Sequence, residues 1–123
     1  MSDPNHILLY VTEARRSAAF YADLLGKPPI ESHPNFALFA LESGVMLGLW
    51  ARAEAQPAPT AAPGGVELGF VVESQAEVNA RFAAWQERGL TILQPPTALD
   101  FGFTFTAADP DGHRLRVMAL GPA

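Results

Sequence analysis

The sequence predicts an α+β fold in which two tandem βαβββ modules form a curved cleft lined by mixed sheets. The first indication is a repeated order of elements: residues 6–51 read as a strand, a helix and three strands, and residues 66–120 read the same way. Both predicted helices stop at a glycine, and a tight turn precedes the last strand of each copy. A duplicated module of this kind can enclose a hollow, where a small molecule would bind.

Composition and charge are those of a small soluble domain. The 123 residues are enough for one domain with a real core, and 49% of them are hydrophobic. The net charge of -5 argues against nucleic acid as a partner. The chain has no cysteine, no apolar run of membrane-spanning length and no visible signal peptide. We therefore expect no disulfide, no membrane partner and a cytoplasmic location.

The first module is predicted over about residues 4–52. Thr12 is placed to cap the first helix, and Gly26 followed by two prolines ends it. The strands are predicted as short apolar runs bounded by turn residues, over residues 6–11, 30–33, 36–42 and 45–52. A linker rich in alanine and proline is predicted over residues 53–64, within a single domain that spans residues 1–123.

The second module is predicted over about residues 65–120. Ser74 and Glu77 form the two ends of a capping box at the start of its helix, and Trp85 falls on the apolar face of that helix. A short strand over residues 90–93 is predicted to stop before Pro95 and Pro96, because proline lacks a donor for the strand ladder. A loop over 97–101 and a hairpin complete the module, with strands predicted at residues 67–72, 103–107 and 113–120.

Three motifs make a family resemblance specific. They are the strand from His6 to Val11, the helix from Arg16 to Gly26 with its Phe20-Tyr21 pair, and the turn Asp109-Pro110-Asp111-Gly112. Over residues 4–120 the chain resembles the vicinal oxygen chelate superfamily, which includes glyoxalase I, extradiol dioxygenases and bleomycin-resistance proteins. The resemblance implies paired βαβββ modules and, together with the apolar composition, a homodimer.

The resemblance also implies four metal-ligand positions, two in each module. In this chain they carry His6, Gly48, Glu67 and Arg116. Glycine has no side chain to ligate a metal, and a guanidinium repels a divalent cation. A metal site needs at least three protein ligands as a rule, so we expect neither a metal nor any other cofactor.

Glu67 and Arg116 are predicted to form an ion pair on neighbouring strands, on the face that lines the hollow. The pair would either stabilise the sheet or present a polar group to a ligand. Breaking a buried pair would cost roughly 3–5 kcal/mol.

Side-chain alternation along the strands predicts the rest of the ligand-binding wall. Flat aromatic rings with glycine gaps suit a planar guest, and Gly48 beside Trp50 would leave room for a ring to lie flat. Trp50 would equally fill the core or a dimer contact, and Phe101 and Phe103 would line the pocket or only pack. The predicted ligand-binding residues are His6, Leu8, Tyr10, Phe36, Met46, Gly48, Trp50, Glu67, Phe101, Phe103, Arg116 and Met118.

No catalytic residue is assigned, because the chain has neither a nucleophile elbow nor a phosphate-binding glycine loop. His33 and His113 are expected in solvent at turn edges. The resemblance favours a metal-independent protein that sequesters a planar aromatic or glycopeptide antibiotic, as in the resistance branch. The alternatives are a metal-dependent lyase or dioxygenase, and a carrier or sensor of a metabolite.

Overall fold

The computed structural model describes residues 3–121 and contains the predicted order of elements twice. The α+β fold of two βαβββ modules is therefore confirmed. The chain divides into two compact units at Pro63 and Gly64, which we call unit 1 and unit 2. No helix within residues 3–121 is both long and apolar enough to cross a membrane.

Unit 1 contains four strands and one helix. The elements are β1 (His6–Val11), α1 (Ala14–Leu25), β2 (Glu31–His33), β3 (Phe36–Ala40) and β4 (Met46–Ala51). The strands form one mixed sheet, sheet A, in the order β1-β4-β3-β2. Strands β1 and β4 are parallel, and the remaining pairs are antiparallel. The helix α1 packs against β2, β3 and β4.

Unit 2 repeats this arrangement. The elements are β5 (Glu67–Val71), α2 (Gln75–Glu87), β6 (Thr91–Leu99), β7 (Gly102–Ala108) and β8 (Arg114–Leu120). The strands form sheet B in the order β5-β8-β7-β6. Strands β5 and β8 are parallel, and the helix α2 packs against β6, β7 and β8.

Each sheet buries one face beneath its helix, as the alternation of its strands predicts. In unit 1 this covered face includes Leu9, Val11, Phe39 and Leu49, all essentially inaccessible to solvent. In unit 2, Phe105 packs edge-on against Phe82 and Trp85 of α2, which confirms Trp85 as a core residue. Full burial of each such side chain contributes roughly 1.5–3 kcal/mol to folding.

The first helix does not begin as predicted. Its N-cap is Glu13, with an extended backbone, and not Thr12. Thr12 lies one residue before the N-cap, which is the position whose side chain can accept from the amides of the first helical turn. The other end is as predicted: Gly26 adopts a left-handed conformation with φ 71°, and its amide donates to the Ala22 carbonyl at 2.9 Å.

Strand β6 is longer than predicted. It continues through Pro95 and Pro96 to Leu99, where a stop and a loop were expected. The prolines are tolerated because β6 is an edge strand that pairs only with β7, and its register shifts between Ile92 and Thr97. Proline is compatible with edge strands and bulges, since its missing donor there does not interrupt a central ladder.

The turn before β8 holds a buried Asp–His pair. One Asp109 carboxylate oxygen accepts from the amides of Asp111 and His113, both at 2.9 Å, and the other lies 2.9 Å from His113 Nδ1. The expectation that His113 is solvated is wrong. Its side chain is 4% exposed, because the imidazole contacts the buried carboxylate of Asp109 in the same turn. His33 is exposed, as expected.

Candidate ligand-binding faces

The face of sheet A that α1 does not cover is apolar and aromatic. We call it the aromatic face. Strand register brings its residues together in pairs, with Tyr10 beside Trp50 and Trp50 opposite Phe36. No Lys, Arg, Asp or Glu lies on β1, β3 or β4. The face contains seven of the predicted ligand-binding residues: His6, Leu8, Tyr10, Phe36, Met46, Gly48 and Trp50. The register adds four residues that were not predicted: Leu38 and Ala40 on β3, and Glu31 and His33 on the edge strand β2.

Trp50 is the centre of an aromatic cluster on this face. Its ring lies 6.5 Å from that of Tyr10 with a tilt of 33°, and 6.5 Å from that of Phe36 in an edge-to-face arrangement. Tyr10 is exposed, whereas Trp50 and Phe36 are half-buried. Aromatic pairs in this range of separations stabilise one another, so the cluster offers a preorganised ring surface.

Gly48 does not leave an open slot, contrary to expectation. A β-carbon built at this position would overlap the end of the Leu8 side chain and would lie 3.4 Å from the Phe36 ring. The space that the glycine vacates is therefore filled by Leu8, and Gly48 itself is buried. The surface of this face beside Gly48 is therefore formed by the rings of Trp50 and Tyr10 and by the side chain of Leu8.

The face of sheet B that α2 does not cover is polar at one end. We call it the arginine face. Register places Thr104 opposite Met118 and Thr106 opposite Arg116. Its residues are Glu67, Gly69, Val71, Thr104, Thr106, Arg114, Arg116 and Met118.

Phe103 is not part of the arginine face. It pairs with Ala119 and has the same parity as Phe105, which lies under α2. The threonines that alternate with it along β7 lie on the arginine face instead. The alternation of glycine and threonine with phenylalanine over residues 102–106 was visible in the sequence and would have separated the two faces.

The predicted ion pair between Glu67 and Arg116 is present. Arg116 donates from Nε to one carboxylate oxygen at 2.9 Å and from a terminal nitrogen to the other at 3.1 Å. This bidentate hydrogen bonding holds the pKa of Glu67 below its usual value and raises the pKa of Arg116. Both side chains are therefore charged near neutral pH. A third donor of Arg116 lies 3.3 Å from the Thr104 hydroxyl.

Phe101 extends the arginine face at the turn between β6 and β7. Its ring centroid lies 5.7 Å from the central guanidinium carbon of Arg116, within the range of a cation–π interaction. The ring is 43% exposed, so part of its surface remains available to a ligand.

Comparisons with known proteins agree with this architecture. The family model described as the Glyoxalase/Bleomycin resistance protein/Dioxygenase superfamily matches residues 3–117. The chain belongs to this superfamily. It is 29% identical over 120 residues to the phenazine antibiotic resistance protein EhpR of Enterobacter agglomerans. The aligned region covers 95% of this chain and 92% of EhpR.

Two solved structures superpose well on this chain. Protein ATC0852 from Agrobacterium tumefaciens, solved by solution NMR, is 48% identical to this chain and superposes with a TM-score of 0.89. The match covers 98% of this chain and 99% of ATC0852. A glyoxalase-related enzyme from Fulvimarina pelagi is 26% identical with a TM-score of 0.83, covering 97% of this chain and 88% of its own. The fold of the superfamily is thus common to these chains.

The superfamily includes metal-using enzymes, but the residues present here do not fit a divalent cation. Unit 1 supplies His6 and Gly48 at the expected positions, and glycine has no donor. Unit 2 supplies Glu67 and Arg116, and both oxygens of Glu67 already accept from the arginine. Within residues 3–121, no group of three or more His, Cys, Asp or Glu side chains is placed to hold a metal ion.

Proposed function

We propose that this protein binds a small planar aromatic compound and holds it chemically unchanged, without a metal ion, in a resistance role. Membership of the superfamily and the similarity to a phenazine resistance protein support this role. The single observation that carries it is the aromatic cluster of Trp50, Tyr10 and Phe36, which lies on three strands without charged residues. We propose further that the protein works as a cytoplasmic homodimer.

The physical basis of the proposal is ring stacking. A planar guest lying against Trp50 would gain about 0.5–1.5 kcal/mol beyond the apolar area it buries. The cluster holds the indole between two other rings, so little side-chain freedom is lost when the guest binds. Bleomycin and phenazine-type compounds are the natural first panel.

The Trp50→Ala variant should bind phenazine about tenfold more weakly than the parent, because it removes both the stacking and the apolar contact of the indole. Isothermal titration calorimetry measures this directly. Circular dichroism should show an intact fold, since Leu47 and Leu49 still pack on the covered face. The proposal fails if no planar compound binds, or if Trp50→Ala binds as well as the parent.

Trp85→Phe is the matched control for this experiment. Trp85 is buried in unit 2 against Phe70 and Phe105, so it should not contact the guest. In Trp85→Phe, the remaining fluorescence comes from Trp50 and should be quenched by the guest with unchanged affinity. Quenching that disappears in this variant would place the guest near Trp85 instead.

Metal removal should not affect binding. Protein treated with a chelator should bind phenazine with unchanged affinity, and the compound should be recovered intact, as judged by mass spectrometry. Near-stoichiometric Zn, Ni, Mn or Fe in elemental analysis, lost in His6→Ala, would contradict metal independence. Conversion of the compound would instead favour a lyase or dioxygenase.

A further inference from the structure

The aromatic face of sheet A ends in two polar side chains on its edge strand β2, Glu31 and His33. We call this pair the polar edge. Strand register places His33 opposite Phe36 of β3, and Phe36 opposite Trp50 of β4. Residues paired in this way point to the same face of a sheet. His33, Phe36 and Trp50 therefore form one row across the aromatic face, entirely within unit 1.

The length of this row matches that of a planar ligand. Neighbouring strands are about 4.8 Å apart, so the backbone of β2 lies roughly 10 Å from that of β4, which carries Trp50. A fused three-ring compound has about this length. If it stacks on Trp50 and extends across β3, its outer ring and the substituents on that ring reach His33.

Glu31 determines which ring nitrogen of His33 carries the proton. Nε2 of His33 lies 3.3 Å from one carboxylate oxygen of Glu31. A carboxylate only accepts hydrogen bonds, so Nε2 is the donor in this contact. Nδ1 of the neutral imidazole is then an acceptor, because the two nitrogens divide these roles between them. The His33 side chain is 55% exposed, so a ligand can reach it.

Glu31 also sets the charge of the polar edge. It is the only Asp, Glu, Lys or Arg on the four strands of sheet A. Its side chain is 54% exposed and adds a second accepting group beside the imidazole. Acceptors and a negative charge disfavour a ligand with an acidic group and favour one that donates a hydrogen bond.

We infer that the polar edge binds a hydrogen-bond donor on the rim of the planar ligand, with Nδ1 of His33 as the acceptor. The inference rests on the proposed function and adds the class of ligand to it, a neutral aromatic compound with an amino or hydroxyl substituent. Trp50 contacts the aromatic body of this ligand. Glu31 is a positioning residue, because it acts by keeping Nδ1 in its accepting form.

The test compares 2-aminophenazine with 2-(dimethylamino)phenazine, in which two methyl groups replace the N–H donors. By isothermal titration calorimetry near neutral pH, the parent protein should bind 2-aminophenazine about fivefold more tightly, the gain expected of one hydrogen bond. His33→Phe should abolish this preference, because it keeps a flat ring and removes the acceptor. Unsubstituted phenazine should still bind to this variant through Trp50.

Glu31→Gln tests the positioning role. An amide can accept from the imidazole or donate to it, so the proton is no longer confined to Nε2. Nitrogen NMR of the His33 ring should show one tautomer in the parent and a mixture in Glu31→Gln, and the preference for 2-aminophenazine should fall to about twofold. An unchanged tautomer with an unchanged preference would overturn the role of Glu31.

The matched control is Ser32→Ala, on the same strand. Ser32 is exposed and pairs with Ala37, which is buried on the covered face, so its side chain points away from the aromatic face. This variant should bind all three phenazines as the parent does. Equal binding of the two amines by the parent, or a preference that persists in His33→Phe, would overturn the polar edge and leave the proposed function standing. Failure of the parent to bind any of the three would overturn both.

Discussion

Arg116 connects three other residues of the arginine face. It binds both oxygens of Glu67, donates to the Thr104 hydroxyl and lies beside the Phe101 ring. These contacts come from three different elements, so the guanidinium fixes β5 and β7 against β8 at this point. A residue with so many partners is held in one orientation, and its charge is presented in a defined position.

Glu67 and Arg116 should be energetically coupled, but more weakly than burial would imply. Glu67 is 38% exposed, so the cost of 3–5 kcal/mol expected for a buried pair does not apply. We expect a coupling of about 1 kcal/mol from a double-mutant cycle of Glu67→Gln and Arg116→Met, measured by urea unfolding. Strictly additive effects would contradict the direct contact.

A control cycle is available in the same chain. Glu13 and Arg16 approach to 3.8 Å, with side chains 65% and 53% exposed. An exposed and long ion pair should show a coupling near zero, because solvent screens it. If the coupling energy of Glu13 and Arg16 were as large as that of Glu67 and Arg116, geometry and burial would not determine the strength of these ion pairs.

At the scale of elements, the two helices begin differently although they belong to duplicated modules. In α2 the Ser74 hydroxyl accepts from the Glu77 amide at 3.2 Å, as the predicted capping box requires. In α1 the N-cap Glu13 makes no capping hydrogen bond with its side chain within the described residues. The two N-cap residues therefore differ, because Ser74 caps its helix with its side chain and Glu13 does not.

Ser74→Ala should destabilise the protein by about 1 kcal/mol, because it leaves the Glu77 amide without its acceptor. Ser74→Asp should restore most of this loss, and Glu13→Ser should stabilise α1 by adding an acceptor at its N-cap. Thermal unfolding measures all three. Unchanged stability in Ser74→Ala would show that the cap contributes nothing in this context.

At the scale of the whole molecule, both units expose apolar side chains on their sheets. Leu8 and Tyr10 are exposed in unit 1, and Val71 and Leu120 in unit 2, with Val71 62% accessible. Exposed apolar surface of this extent in a small protein is typical of a surface that another molecule covers.

A homodimer should therefore be the main species at micromolar concentration. Size-exclusion chromatography with light scattering should give twice the chain mass of 13.2 kDa. Val71→Lys tests the role of this surface, and should shift the equilibrium toward monomer if Val71 lies in the contact. A parent protein that remains monomeric across this range would contradict the prediction.

The local pattern of the sequence determined a large part of this protein. Period-2 alternation assigned Leu9 and Leu49 to the covered face and Tyr10 and Trp50 to the other. Order of elements and three motifs were enough for the superfamily, which the family model confirms. The Glu67–Arg116 pair followed from placing β5 beside β8. These features depend on neighbours along the chain or on a duplicated order of strands, which a single sequence contains.

Tertiary structure decided what depends on distant partners. Pro95 and Pro96 lie within a strand because β6 is at the edge of sheet B. Leu8 fills the space over Gly48 from a neighbouring strand, and Thr106 lies opposite Arg116. None of these follows from local spacing, because strand position in the sheet and the reach of a side chain across it are set only when the strands pair.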